Sequence, residues 1–218
     1  RAVYEACVKL RQDLDSRPWQ PGEERCAEYY YACDPCFAIG DFEGAKKRGA
    51  KYRNFPAYAY ATQAAIVEVD RETGEVRLLK VIAAHDVGRA INPHIIEGQM
   101  HGSCSMGQGY ALTEGYPTEN GYPVKTLYRQ LGLPRAEDTP DYEIILIEDP
   151  EPQGPFGAKG ISEVATVPVT PAILNAVSRA IGVRINKVPA SPEVVLEAIR
   201  TGKCDVPTME QQIKELEK

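Results

Sequence analysis

The amino-acid sequence predicts an α+β fold, a mixed sheet packed with helices. Three observations predict it. Residues 58–69 alternate apolar and small side chains and end in Ile66-Val67-Glu68-Val69. After the turn Arg71-Glu72-Thr73-Gly74 a return strand runs through residue 85, as in a β-hairpin. Ile144-Ile145-Leu146-Ile147 is a short apolar run that reads as a buried strand. Around these lie helical stretches: residues 2–14 and 171–181 with apolar residues at helical spacing, a stretch over 95–112 dense in small residues, and one opened at Ser191-Pro192-Glu193 that ends near Thr201-Gly202.

Taken in order, the first helix puts Val3, Ala6, Cys7, Leu10 and Leu14 on one stripe, and Arg17-Pro18-Trp19-Gln20-Pro21-Gly22 ends it. Residues 23–32 are amphipathic and tyrosine-rich, compatible with helix or strand. Residues 34–54 carry glycine and charge and read as irregular surface chain. Beyond the hairpin, Asn92-Pro93 is a helix start, because Asn caps and proline suits the first turn. The helix that follows is dense in small residues: Gly98, Gly102, Ser103, Ser105, Gly107, Gly109 and Ala111. Each helical glycine costs about 1 kcal/mol relative to alanine. Such a segment therefore needs something packed closely on its backbone. Another helix is the simpler candidate and a cofactor the alternative. Residues 114–122 are a polar turn region, and residues 125–141 wrap the surface or meet a partner. Thr170-Pro171 opens the next helix, and Gly182 sits at its C′ position. Ser191-Pro192-Glu193 opens another, with Ser191 as N-cap and Thr201-Gly202 as its end. Residues 208–218 read as a charged, weakly amphipathic helix.

The 218 residues suffice for one large domain or for two lobes, 1–140 and 141–218. The 43% hydrophobic and 26% charged residues are ordinary for a globular protein. No apolar run approaches the ~20 residues that span a bilayer, and no signal peptide is visible. A cytoplasmic protein is expected. The chain opens on Arg1 and enters a helix at once, which suggests a piece of a longer protein or a processed chain. A net charge of −6 argues against nucleic acid. The basic cluster Lys46-Lys47-Arg48, with Lys51 and Arg53, carries no groove-reading pattern. The six cysteines, Cys7, Cys26, Cys33, Cys36, Cys104 and Cys204, lack disulfide-scaffold spacing. Cys33-Asp34-Pro35-Cys36 supplies only two of the four ligands of a structural zinc site, and neither Cys26 nor His85 stands at finger spacing. Reduced thiols are the expectation.

One stretch organises the chemistry: Gly154-Pro155-Phe156-Gly157-Ala158-Lys159-Gly160-Ile161-Ser162-Glu163. Its glycines and proline make a loop whose backbone can lie close to a ligand. Glu163 stands where the loop enters apolar sequence. Held partly out of water, such a carboxylate has a raised pKa and acts as a base near neutral pH. From spacing alone, the simpler reading is a turn cap that stays solvated. Gly157-Ala158-Lys159-Gly160 lacks the lead and the Ser/Thr of a P-loop. Gly107-Gln108-Gly109 lacks the third glycine of a dinucleotide fingerprint. No His-x-x-x-His pair and no Gly-x-Ser-x-Gly elbow occurs, which weakens zinc-enzyme and hydrolase readings.

Gly157-Ala158-Lys159-Gly160-Ile161-Ser162-Glu163, with Val167-Pro168-Val169-Thr170-Pro171-Ala172-Ile173 behind it, resembles the signature of the molybdenum hydroxylases, the family of xanthine dehydrogenase, aldehyde oxidase and nicotinate dehydrogenase. Further stretches resemble the family in the same order. Ala2-Val3-Tyr4-Glu5-Ala6-Cys7 is similar to the helix after its main pterin-binding loop. Val67-Glu68-Val69-Asp70 with Thr73-Gly74-Glu75-Val76 is similar to a hairpin of its molybdenum-binding domain. Asp86-Val87-Gly88-Arg89-Ala90-Ile91-Asn92-Pro93 resembles its Asp-x-Gly-x-x-x-Asn-Pro turn, and Gly98-Gln99-Met100-His101-Gly102 and Met106-Gly107-Gln108-Gly109 its next helix. Residues 26–54 stand outside the resemblance.

The resemblance implies the C-terminal portion of a molybdopterin-binding domain of the xanthine dehydrogenase type. It implies Glu163 as the catalytic base beside molybdenum, Gln99 as a pterin-contacting amide, and Ser162 as a residue whose backbone meets the metal site. Many relatives have glycine where Ser162 stands, and His101 replaces a residue often acidic. The implied cofactor is molybdopterin, in a form that includes the cytosine dinucleotide among its options, shared with a larger molybdopterin-binding chain. An iron–sulfur (2Fe-2S) subunit and a flavin (FAD) subunit are implied as partners, since this chain carries neither set of motifs. The implied reaction is hydroxylation of a nitrogen heterocycle of the purine or nicotinate type with water-derived oxygen. The alternatives are an aldehyde oxidoreductase, a hydroxyaryl-thioester reductase, and a non-catalytic assembly module of the same fold.

Overall fold

The structure is a computed structural model and describes residues 1–203; the expected helix over 208–218 and Cys204 lie outside them. The chain forms two compact units. Unit 1 holds residues 1–59, 87–91 and 148–159; unit 2 holds residues 60–86, 92–147 and the chain from 160 onward.

In unit 1, helix α1 (Ala2–Ser16) forms where the apolar spacing predicts it, and none of its residues is buried. Residues 23–32 form neither helix nor strand. The Arg25 side chain explains this. Its guanidinium reaches Asp13 at 3.1 Å, the Arg17 carbonyl at 2.6 Å and Glu23 at 2.7 Å, tying the segment back to the end of α1. Helix α2 (Phe42–Lys47) lies within the stretch expected to be irregular. Asp41 caps it by accepting the Gly44 N–H at 2.8 Å. Its Ala45 is buried, as is the nearby Phe37, over whose ring the Arg48 guanidinium sits.

Unit 2 shows the expected mixed sheet with helices. Strands β1 (Ala61–Val69) and β2 (Val76–Asp86) pair antiparallel as the hairpin pattern predicts. Asp70 organises their turn by accepting the Glu72 and Thr73 N–H groups at 2.8 and 3.1 Å, which hold its carboxyl below the usual range. Gly74 takes φ +78° there. Ile66 pairs with Lys80 but Val67 with Leu78, so Leu79 is an extra residue on β2.

Helix α3 (Pro93–Leu112) opens on Asn92, whose side chain accepts the Ile95 N–H at 3.2 Å. A two-residue ladder of β3 (Thr118–Glu119) and β4 (Tyr122–Pro123) follows, then two 3₁₀ turns. Strand β5 (Asp141–Ile147) adds parallel to β2, giving the order β1-β2-β5. The expectation of a buried strand here is corrected: Ile145 and Ile147 are 39% and 47% exposed. β5 is an edge strand.

Helix α4 (Thr166–Ile181) starts one turn earlier than Thr170-Pro171 predicts, and Pro171 lies inside it. The missing Pro171 N–H takes away the helical partner of the Val167 carbonyl, and Val167 is 73% exposed. Gly182 ends α4 at φ +78°, as expected. Helix α5 (Pro192–Thr201) follows Ser191, whose hydroxyl donates to Glu193 at 2.6 Å instead of capping the helix. α4 lies against β1, and α3 against α4. The core between them holds Val81, Ala83, Met100, Cys104, Val169, Ile173 and Val177. Among the described residues no helix is long and apolar enough to cross a membrane.

Candidate active site

The glycine-rich loop passes from unit 1 to unit 2 between Lys159 and Gly160. Within unit 1 it pairs with the Asp-x-Gly turn. The Arg89 N–H donates to the Gly157 carbonyl at 2.8 Å, the Lys159 N–H donates to the Val87 carbonyl at 3.0 Å, and Gly88 and Ala158 form a bridge. Gly88 has φ +65°, and a Cβ on it would overlap the Gly157 carbonyl oxygen. Two motifs some seventy residues apart are thus one local structure, and only glycine fits at their contact. Phe156 takes φ 55° beside Gly157, and Lys159 pairs with Asp149 at 3.7 Å.

In unit 2, Gln99 and Ser103 stand one turn apart on α3 and face the same carbonyl. Gln99 Nε2 donates to Ser162 O at 2.8 Å, and Ser103 Oγ approaches the same oxygen at 3.5 Å. Glu163 comes next, exposed, its own carbonyl accepting the Thr166 N–H at 2.9 Å as the chain enters α4. Spacing alone makes a solvated carboxylate the simpler reading, and Glu163 is exposed. α4 is held close to α3 at Gly107: Thr170 Oγ1 donates to the Gly107 carbonyl at 2.8 Å, and a Cβ on Gly107 would land on Val169 Cγ1. This is the helix packing that the glycine content of α3 required. Gly98 and Gly102 differ, with no atom within 4 Å of a Cβ built on either.

A molybdopterin group carries its metal on its own sulfur ligands. It asks the chain for amide and hydroxyl partners and for backbone that it can approach. Gln99 offers an exposed amide with one N–H already committed, Ser162 an exposed hydroxyl, and Gly102, three residues beyond Gln99, open backbone. The residues present fit the group. No set of three His, Cys, Asp or Glu side chains suited to a metal occurs among the described residues, Cys33 and Cys36 included. A cleft of about 460 Å³ in unit 2, lined by Leu78, Gln108, Leu112 and Pro134, lies toward the other end of α3 and contains none of Gln99, Ser162 and Glu163.

Sequence reasoning singled out Gln99, Ser162 and Glu163, and the structure brings them together. It missed Ser103, which the four-residue spacing from Gln99 would have disclosed. It also missed Gln63 and His85. His85 is 1% exposed at the end of β2, and burial pushes its pKa down. Gln63 Nε2 lies 2.7 Å from His85 Nε2 and donates to Ala165 O at 2.9 Å.

Residues 1–140 match the model of the molybdopterin cofactor-binding domain family. A chain of the probable xanthine dehydrogenase of Bacillus subtilis is 38% identical over 142 residues, covering 65% of this chain and 19% of that protein. The aldehyde oxidoreductase of Megalodesulfovibrio gigas is 37% identical over 147 residues, covering 67% and 16%. The crystal structure of quinoline 2-oxidoreductase from Pseudomonas putida 86 superposes with a TM-score of 0.62 at 34% identity, covering 66% of this chain and 19% of that one. The chain spans about a fifth of the length of these relatives. It belongs to the molybdopterin cofactor-binding domain family, among the relatives of xanthine dehydrogenase and aldehyde oxidoreductase.

Proposed function

We propose that this chain forms one wall of the cofactor site of a molybdenum hydroxylase and supplies its catalytic base, Glu163. The observation that carries the reading is the Gln99 to Ser162 hydrogen bond, which fixes the residue before an exposed Glu163 to the helix that offers the cofactor an amide. Gln99 binds the pterin side of the cofactor, and the Ser162 backbone meets its metal side. When bound, the molybdenum centre supplies the two-electron oxidation. Glu163 takes up a proton on a carboxylate oxygen as water-derived oxygen becomes nucleophilic, and the same carboxyl orients an electron-poor substrate carbon. The substrate class is a nitrogen heterocycle of the purine or nicotinate type. Xanthine and quinoline, in the relatives' names, are such rings. The remainder of the cofactor site comes from a larger molybdopterin-binding chain, with iron–sulfur and flavin subunits carrying electrons away.

The test is Glu163→Gln in the enzyme assembled in its own host. Glu163 is exposed, so the variant keeps fold and molybdenum content. Loss of the base lowers turnover by at least about 100-fold. Retention of most of the turnover overturns the assignment. Turnover of a purine, a pyridine carboxylate and an aldehyde, measured side by side, decides the substrate class.

A further inference from the structure

Behind the candidate base lies a buried polar pair that the proposed function does not use. Gln63 on β1 and His85 on β2 are diagonal neighbours on the covered face of the sheet, Ala61 pairing with His85 and Gln63 with Ala83. Their contacts determine which atoms carry protons. Ala165 O is an acceptor, so the Gln63 atom 2.9 Å from it is the NH2 group. That NH2 group also faces His85 Nε2 at 2.7 Å, so Nε2 accepts and the neutral ring carries its proton on Nδ1. Both hydrogens of the Gln63 amide are then committed, while Gln63 Oε1 and His85 Nδ1 are buried with no partner. Leaving two such atoms unpartnered is costly.

The chain between Ser162 and Ala165 is held at both ends by its carbonyls. Gln99 grips Ser162 O from α3 at 2.8 Å, and Gln63 grips Ala165 O from the sheet at 2.9 Å. Glu163 stands between the two grips. No side chain caps α4; these two bonds, with Ser103 Oγ on Ser162 O at 3.5 Å, restrain its entry. We propose that Gln63 and His85 are positioning residues for Glu163: the unprotonated Nε2 of His85 keeps the Gln63 NH2 turned toward Ala165 O, and the clamped segment presents the carboxylate in one place. An amide turned the other way would set Oε1 against Ala165 O, acceptor against acceptor. The catalytic consequence rests on the reading of Glu163 as the base; the clamp itself does not.

The experiment compares Gln63→Met, His85→Phe and His85→Gln in the assembled enzyme. Gln63→Met keeps the bulk of a half-buried side chain and removes both donors. His85→Gln returns an acceptor near the position of Nε2, and His85→Phe does not. Hydrogen–deuterium exchange of peptides spanning residues 160–168 reads the clamp. Exchange rises about fivefold, the factor one hydrogen bond is worth, in Gln63→Met and His85→Phe, and returns toward the native rate in His85→Gln. Turnover follows the same order through kcat, with KM and molybdenum content unchanged. Native exchange in Gln63→Met, or a His85→Gln no better than His85→Phe, overturns the clamp whatever the turnover. Raised exchange in Gln63→Met and His85→Phe, rescued in His85→Gln, with native kcat throughout upholds the clamp but overturns its role in positioning Glu163; the base itself is judged by Glu163→Gln.

Discussion

Replacing Gly107 by alanine tests the close approach of α3 and α4 on which the position of Ser162 depends. The Cβ would land on Val169 Cγ1, with Thr170 Oγ1 3.3 Å away. Val169 is fully buried in α4, and a helical valine has one strongly preferred rotamer, so it cannot swing aside. Overpacking of this kind costs about 1–3 kcal/mol, and a site with no give belongs at the upper end. Against it stands the gain of about 1 kcal/mol when alanine replaces a helical glycine. The net is a loss of about 2 kcal/mol. Gly102→Ala, five residues away on the same helix, meets no atom within 4 Å and keeps only the gain. The two variants therefore differ by about 3 kcal/mol, which for a chain of this size separates their melting temperatures by about 6–12 °C. Thermal unfolding followed by circular dichroism at the helical band measures this, and adding Val169→Ala to Gly107→Ala recovers part of the loss. A Gly107→Ala chain as stable as Gly102→Ala would refute the close packing and the placement of Ser162 that follows from it.

Asn92→Ala removes the cap that accepts the Ile95 N–H and costs about 1 kcal/mol, read as a lower unfolding midpoint in urea. Iodoacetamide at pH 8 labels the exposed Cys7, Cys26 and Cys33 quickly, whereas Cys104, whose thiol burial pushes up to about 11, reacts only on unfolding; peptide mass spectrometry distinguishes the two classes. Burial holds the pKa of His85 below its usual 6.5, so as pH falls the unfolded chain binds this proton before the folded one. Stability present above about pH 6.5 is lost as pH falls through the folded-state value, and unfolding midpoints from pH 7.5 to 5 show a flatter dependence in His85→Gln.

What was legible in the sequence is what adjacent residues decide. Asn92-Pro93 dictates a helix start, Asp70 to Gly74 dictates a turn, and Gly182 and Gly202 stop their helices in left-handed conformations. The glycines of α3 announced a close neighbour, and at Gly107 the neighbour is Val169. What failed depended on distant partners. The run at Ile144–Ile147 is apolar enough to be buried, yet only its alternate residues meet a helix. Arg25 overrides the amphipathic pattern of residues 23–32 with contacts to α1 and the turn after it. α4 extends through Pro171, whose missing N–H falls opposite the exposed residue Val167. At the site, Glu163, Gln99 and Ser162 stood in recognisable motifs. Gln63 and His85 lie in a strand pattern that gives no hint of the carbonyl they address.

The extra residue at Leu79 has a consequence for the reading frame of β2. Near the turn the even-numbered residues Val76 and Leu78 face the helices; beyond Leu79 the odd-numbered Val81, Ala83 and His85 do. A regular strand would have to choose, since a shift of one residue exchanges its two faces. With the core end chosen at the turn, His85 would point away from Gln63 and Ala84 would take its place. The bulge is a parity correction. It lets the turn and the site each keep their own phase along one strand.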